Sequence, residues 1–241
     1  MAAYRRQTRS PLDSLTLTAA DLADDLDAAY DAMALHLAAE PARWGGWKLG
    51  GTNHASRAAF GVTAGYFGAL DRSEILDQPA QAPGFALCEM KGEVESALRL
   101  DASGQDYDAW CVALEMPACP ISNLLEMGVR ALVADRCGAG ALVLGPAQSG
   151  ALPDLTAARF SLRADGVDLS VAGLEALVDT PQALLAEFLD LARRHGIAPQ
   201  PGDWIATGGI TACRGFAPGA RVQVLRDDVV ELDFIASGAP A

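Results

Sequence analysis

The run "KGEVESALRL" at 91–100 constrains this chain more than any other segment. Its apolar residues recur with a period of two, the period of a strand, in which residues i and i+2 share a face. Val94, Ser96, Leu98 and Leu100 then make one face, and Glu93, Glu95, Ala97 and Arg99 the other. Two carboxylates on one face, about 7 Å apart along the chain, repel each other. Water, a cationic side chain or a metal ion must compensate them. A solvated edge with Arg99 close by is the plain solution. A third acid, Glu115, lies in "WCVALEMPA", where every near neighbour is apolar, and an acid in such a run is rarely buried unless paired. Three carboxylates converging from two strands would suit a hard divalent ion such as Mg²⁺ or Mn²⁺.

A second segment, "GGWKLGGTN" at 45–53, sets Lys48 between glycines that let a ligand approach the backbone. Lys48 and Lys91 are the only lysines in the chain. The order is wrong for a Walker phosphate loop, where Gly precedes Lys, so a solvated surface turn is the alternative. "ATGGIT" at 206–211 could offer backbone N–H groups to a carboxylate. "CGAGALVLG" lacks the third Gly of a dinucleotide fingerprint, and no G-x-S-x-G occurs. Of the three histidines, His36 and His195 fall in helical patterns and read as structural or surface residues. His54 follows the Lys48 loop and is the candidate for acid–base work, with an exposed loop His as the alternative.

Helices are expected in "LTAADLADDLDAAYDAMALHLAAE", capped by Thr18, in "NLLEMGVRALVADRC", and in "TPQALLAEFLDLARRHG", with Thr180 as cap and Pro181 in the first turn. Strand-like runs fill most of the rest. "GFALCEMKGEVESALRL" reads as two of them broken at Gly92, "FSLRADGVDLSVAG" is a hairpin turning at Asp165-Gly166, and "GDWIATGGITA" and "ARVQVLRDDVVELDFI" close the chain. The class is α+β, divided as a helical arm over 1–44 and a β-rich domain over 45–241, with one compact unit expected because no linker separates them.

A net charge of −13 argues against nucleic acid or anionic membrane as the main partner. Five cysteines, an odd number with no C-x-x-C pair, predict reduced thiols and a cytoplasmic setting. "MAAYRRQTRSPLDS" has no apolar stretch after its basic residues, so no secretory signal is expected, and no apolar run is long enough to span a membrane.

Taken in order, five segments resemble the 2-keto-4-pentenoate hydratase / 4-oxalocrotonate decarboxylase family of the fumarylacetoacetate hydrolase superfamily. "GWKLGGT" is similar to G-[YW]-K-[VI]-G-x-T, "KGEVESALRL" to R-x-E-P-E-I-A-F-x-L, and "ALEMPACPI" to A-L-E-I-x-D-S-R. "ADRCGAGALVLG" and "APQPGDWIATGGITA" resemble A-D-N-x-S-S-G-x-x-V-L-G and x-L-x-x-G-D-V-V-L-S-G-A-L-T. The resemblance covers nearly the whole chain. It implies a fumarylacetoacetate hydrolase-like mixed β-roll with an N-terminal helical arm, and a Mg²⁺ or Mn²⁺ site at Glu93, Glu95 and Glu115. It further implies Lys48 in the active site, a substrate carboxylate held by Thr52, Thr207, Gly208 and Gly209, and a homo-oligomer.

Departures sit around that seat. Tyr66 in "GVTAGYFGAL" stands where the family has an acid, Ala118-Cys119-Pro120 replace D-S-R, and Arg136 replaces Asn. With no acid at Tyr66, His54 or Lys48 would have to move the proton. The activity implied is a metal-dependent hydro-lyase, a hydratase of 2-hydroxy-dienoate or 2-oxo-enoate acids in a catabolic pathway. A decarboxylase or C–C hydrolase on the same scaffold, or a non-catalytic paralogue binding a metal and an oxo acid, are the alternatives.

Overall fold

The computed structural model describes residues 15–85 and 88–238. The N-terminal stretch read against a secretory signal, and Ala86 and Leu87 of the first expected strand-like run, lie outside the described residues. In chain order the elements are α1 (Leu26–Ala39), β1 (Trp44–Gly50), α2 (His54–Phe60), β2 (Tyr66–Asp71), β3 (Ile75–Asp77), β4 (Gln81–Pro83), β5 (Lys91–Leu100), β6 (Tyr107–Met116) and α3 (Leu124–Ala134). They continue as β7 (Ala141–Leu144), β8 (Gln148–Ser149), β9 (Phe160–Ala164), β10 (Val167–Ala172), α4 (Pro181–Arg194), β11 (Trp204–Ala206), β12 (Arg214–Gly215), β13 (Arg221–Arg226) and β14 (Val229–Ser237).

The strands form two sheets. The larger runs β2-β1-β11-β5-β6-β7-β3, with β12 beside β5 and β8 beside β6; the smaller runs β10-β9-β13-β14-β4. Burial follows the period of two that the sequence shows. Val94, Leu98 and Leu100 of β5 join Phe160 and Leu162 of β9, and Val222, Val224, Leu232 and Phe234, in the main core. Each such side chain contributes about 1.5–3 kcal/mol when fully buried. The opposite face of the large sheet is buried as well. Ala97, Cys111, Ala113, Leu142, Leu144, Ala206 and Leu70 form a second, smaller core inside the curl of the sheet. Small residues there leave room for the site beside it.

Several elements stand where their residues predict. Thr180 caps α4 by accepting from Ala183 N, and Pro181 opens the helix. Asp165 and Gly166, with φ of 47° and 81°, make the two-residue hairpin turn between β9 and β10. Three expectations are corrected. The first long helix begins at Leu26, not after Thr18; Asp25 caps it, while Thr18 and Asp21 close a separate single turn of 3₁₀ helix. Aspartates that compete for nearby backbone N–H groups stop the helix from running through the acidic stretch. Gly92 breaks nothing, because it lies inside β5 opposite Arg214. The last Gly pair is not strand: β11 ends at Ala206, and 207–211 run irregularly past β5.

Helix α1 buries Ala29, Tyr30, Met33 and Leu37 in the main core. Tyr30 stacks on Phe67 and on His195, whose ring lies near Asp27 and Asp31. Among the described residues no helix is long and apolar enough to cross a membrane.

Candidate functional site

Glu93 and Glu115 lie directly opposite each other on β5 and β6, and Glu95 lies opposite Ala113. The three side chains therefore share the inner face of the curled sheet. Their carboxylate oxygens come within 4.8 Å of one another. Glu95 and Glu115 are 1% and 0% exposed, so the solvated edge is not what the chain builds. Lys48 is three strands away in the sheet order, paired through β1 with Ala206 of β11, yet the curl brings its Nζ 2.7 Å from Glu115 Oε1, to which it donates.

Burial dominates the electrostatics. It pushes the Glu93 and Glu95 carboxyls above the usual range, and the neighbouring Glu115 charge pushes the same way. Burial also works against charge on Lys48, but Glu115, Glu93 and Glu95 outweigh it and raise the lysine above its ordinary value. Lys48 is thus a fixed ammonium at neutral pH. Glu95 Oε2 accepts from Gly208 N at 2.8 Å. Glu95 Oε1 and Glu115 Oε2 are buried with no hydrogen-bond partner. Orphaned carboxylate oxygens beside two further acids cost several kcal/mol unless a proton or a cation meets them. The donor set is all oxygen, which fits a hard divalent ion.

The Gly pair serves close approach. A side chain on Gly209 would collide with Glu93, and one on Gly208, whose φ is 111°, would collide with Thr52. Thr52 is buried, and its hydroxyl has no partner in the structure. Thr207 is fully engaged: its hydroxyl donates to Ser96 O at 2.9 Å and meets Ser96 Oγ at 2.7 Å, while its amide donates to Ser96 O. Thr52 and Gly209 therefore face the site, whereas Thr207 and Gly208 stand behind it.

Glu93 and Lys48 open into a cavity of about 210 Å³, which Thr52, Asn53, Tyr66 and Lys91 also line. Phe60, Pro117, Leu124 and Leu132 give it an apolar side, and Cys119 and Cys137 lie in its wall. Tyr66 begins β2 and is buried, which holds its phenol protonated well above the ordinary range. His54 is exposed in the first turn of α2 and does not line the cavity. Position after the Gly loop suggested nearness; the helix that Asn53 caps turns His54 outward instead. Arg136 also points elsewhere. It makes two hydrogen bonds to Glu74, at 2.8 and 2.7 Å, and one to Ala69 O. It thereby pins a turn in which Arg136, Cys137 and Gly138 all have positive φ, and which forms part of the cavity wall.

Two residues were missed in the sequence. Asn53 donates to Gly209 O at 3.1 Å and so ties the two Gly-rich segments together. Lys91 had a visible signal, being two residues before Glu93 on the same strand face.

The architecture has known counterparts. 4-Oxalocrotonate decarboxylase from Pseudomonas putida G7, complexed with magnesium and adipate, superposes with a TM-score of 0.84 over 98% of this chain and 95% of its own, at 20% identity. The chain has a fumarylacetoacetate hydrolase-like fold. Fumarylpyruvate hydrolase from Pseudomonas aeruginosa, in complex with Mn²⁺ and pyruvate, matches at a TM-score of 0.60 and 16% identity over 79% of this chain and 88% of that one. 5-Carboxymethyl-2-hydroxymuconate delta-isomerase from Mycobacterium smegmatis matches at 0.57 and 13% over 83% and 80%. No family model and no curated protein matches the sequence.

Proposed function

We propose that this chain is a divalent-metal-dependent enzyme of 2-oxo acids, and that it hydrates a 2-hydroxy-dienoate or 2-oxo-enoate. One observation carries the reading: three acids converge within 4.8 Å beside a cavity that Glu93 lines, with two buried oxygens, on Glu95 and Glu115, unpartnered. Glu93, Glu95 and Glu115 would hold Mg²⁺ or Mn²⁺. Structures of the same fold hold magnesium with adipate and Mn²⁺ with pyruvate, which supports the choice. When bound, the ion would supply the Lewis-acid charge that stabilises an enolate of the substrate.

The protein's own groups do the rest. Gly208 fixes Glu95 through its amide, and Thr207 fixes β5 through Ser96. The Thr52 hydroxyl and Gly209 orient the substrate at the wall. Lys48 presents a permanent positive charge to the oxygen on which charge develops. Tyr66 keeps its proton, so it serves as hydrogen-bond donor or acid rather than base. The apolar side of the cavity would pack against the hydrocarbon part of the substrate. On this geometry Tyr66→Phe should lower turnover by about 10- to 100-fold, while His54→Asn should stay within about twofold of the parent. Steady-state kinetics of both variants give the comparison, and a larger loss in His54→Asn would reverse the assignment.

A decarboxylase of 2-oxo diacids is the second reading. It is favoured by the likeness to 4-oxalocrotonate decarboxylase over nearly the full length of both chains. Turnover of a panel of 2-oxo-enoates and 2-oxo diacids, with and without Mn²⁺, tests both. No turnover of any member with Mn²⁺ present would leave only a binding role.

Metal binding should be strongly pH-dependent. In the metal-free protein the Glu93 carboxyl is raised from 4.5 to about 8, and Glu95 is raised in the same direction. Between those pH values the folded state holds protons that the unfolded chain has lost, so metal-free stability falls as pH rises. A metal must displace those protons, which tightens binding by about tenfold per pH unit for each proton released. The Mn²⁺-induced rise in melting temperature should therefore grow from pH 5.5 to 8. A rise that is flat with pH would show that the acids carry no proton in the metal-free state.

A further inference from the structure

A second cavity, of about 290 Å³, is separate from the three acids. Trp47 lines it while Lys48 lines the first cavity, so adjacent residues of β1 serve opposite faces of the strand. Ala34 and Leu37 of α1, Trp44 and Trp47 of β1, and Ile197 beyond α4 give it apolar and aromatic walls. Asp203, which immediately precedes β11, is the charged residue of the wall and is only 2% exposed. Its Oδ2 accepts twice, from Trp47 Nε1 at 3.0 Å and from Gln200 N at 2.9 Å. Its Oδ1 is buried with no hydrogen-bond partner among the described residues. The side-chain donors of the wall are already spent. Trp44 Nε1 donates to Leu37 O, Trp47 Nε1 to Asp203, and Gln200 Nε2 to Ala198 O. A buried carboxylate oxygen left in this way is destabilising until a donor meets it. Water fills the role poorly, since a buried water makes about three hydrogen bonds and these walls are mostly apolar.

We infer that this cavity is a second ligand site, and that it takes a neutral one-ring molecule whose hydroxyl donates to Asp203 Oδ1, a phenol in chemical class. Charge selects a neutral ligand. An anion would meet the carboxylate. A cation would meet guanidinium groups: Arg43 and Arg136 lie over the Trp44 ring, 4.8 and 5.6 Å from its centroid. Burial raises the Asp203 carboxyl, and the Arg72 charge is among the influences that draw it back. Size and shape select a ring. An apolar cavity of about 150 Å³ admits benzene, so this one has room for a substituted ring, and two indoles offer it aromatic faces. The inference is independent of the metal and oxo-acid reading above, because it uses none of the residues of that site.

The test is titration calorimetry of the full chain with phenol and with toluene, which have nearly the same shape and differ in the hydroxyl donor. The parent should bind phenol at least about tenfold more tightly than toluene, the worth of one hydrogen bond to a charged acceptor. Asp203→Asn keeps the shape and can still accept from Trp47 and Gln200, but it presents an amide donor in place of Oδ1. In that variant the preference for phenol should fall to about one or reverse. Ala34→Leu should fill the cavity from α1, where leucine suits the helix, and abolish binding of both probes. It also covers the case in which Asp203→Asn fails to fold. Phenol binding that survives Ala34→Leu would place the probe elsewhere and overturn the inference. A parent that prefers toluene would overturn it too, by showing that Oδ1 accepts nothing from a ligand. A parent that binds neither probe would leave the cavity to water and end the proposal.

Discussion

Glu95→Gln should abolish divalent-ion binding and yet raise the melting temperature of the metal-free protein. Glu95 is 1% exposed and lies against two other acids. Its carboxylate therefore costs free energy in the absence of a cation, by loss of hydration first and by repulsion second. Glutamine keeps the shape, still accepts from Gly208 N through its oxygen, and adds a donor toward the neighbouring carboxylates. A gain of about 1 kcal/mol would raise the midpoint by about 2–4 °C in a chain of this size. Glu115→Gln should lose the metal too, but with the opposite sign in stability. It removes the negative charge facing buried Lys48 and leaves only an amide oxygen to accept from it, and breaking such a pair costs about 3 kcal/mol at the low end of the usual range. The low end applies because Glu93 and Glu95 still face the lysine. In both variants the Kd for Mn²⁺ should rise by at least about 100-fold, since outer-shell changes alone cost 10- to 100-fold. Titration calorimetry and thermal melts of the two isosteric variants settle it. Unchanged Mn²⁺ affinity in either would end the three-carboxylate site.

Much of this arrangement was legible in the residues. The period of two put Glu93 and Glu95 on one face, and a single acid inside an apolar run marked Glu115 as buried and in need of a partner. What the period could not show is register. The direct opposition of Glu93 and Glu115 depends on how β5 pairs with β6, and a shift of one residue would have turned Glu115 to the other face. The reach of Lys48 was hidden for a similar reason. It depends on the curl of a sheet whose neighbours β1 and β11 are far apart in sequence. Local signals failed where a local competitor won. Asp25 took the helix start from Thr18, and Asn53 capped α2 so that His54 faces solvent. Thr207 illustrates a third kind of failure. Its position beside the Gly pair placed it among the candidate substrate-binding residues, but Ser96 from the facing strand takes up its hydroxyl and its amide. Arg136, which departs from the Asn of the motif this segment resembles, is likewise a matter of packing, since it is spent on Glu74 and Ala69 O, away from the cavity.

Lys48→Met should separate binding from turnover. Methionine matches the length of the lysine stem and removes the charge, so the buried stem stays packed between the Gly-rich flanks of β1. In the parent, the ammonium neutralises Glu115 in part and competes with any incoming cation for the same oxygen, 2.7 Å away. Without it, Glu115 is free to serve the ion, and Mn²⁺ affinity at pH 7.5 should hold or tighten. Turnover should fall by about 10²–10³-fold, the usual cost of removing one preorganised charge from a water-excluded site. Lysine is not expected to act as a base here, because the three carboxylates hold its proton above the ordinary range. The pH profile of the parent should therefore show no limb from Lys48 between pH 6 and 9, whereas a catalytic base would produce one. Mn²⁺ titration and steady-state kinetics on the same preparation read both halves of the expectation. Retained metal with turnover within about twofold of the parent would remove Lys48 from the chemistry. Loss of metal and turnover together would make it a structural partner of Glu115 and nothing more.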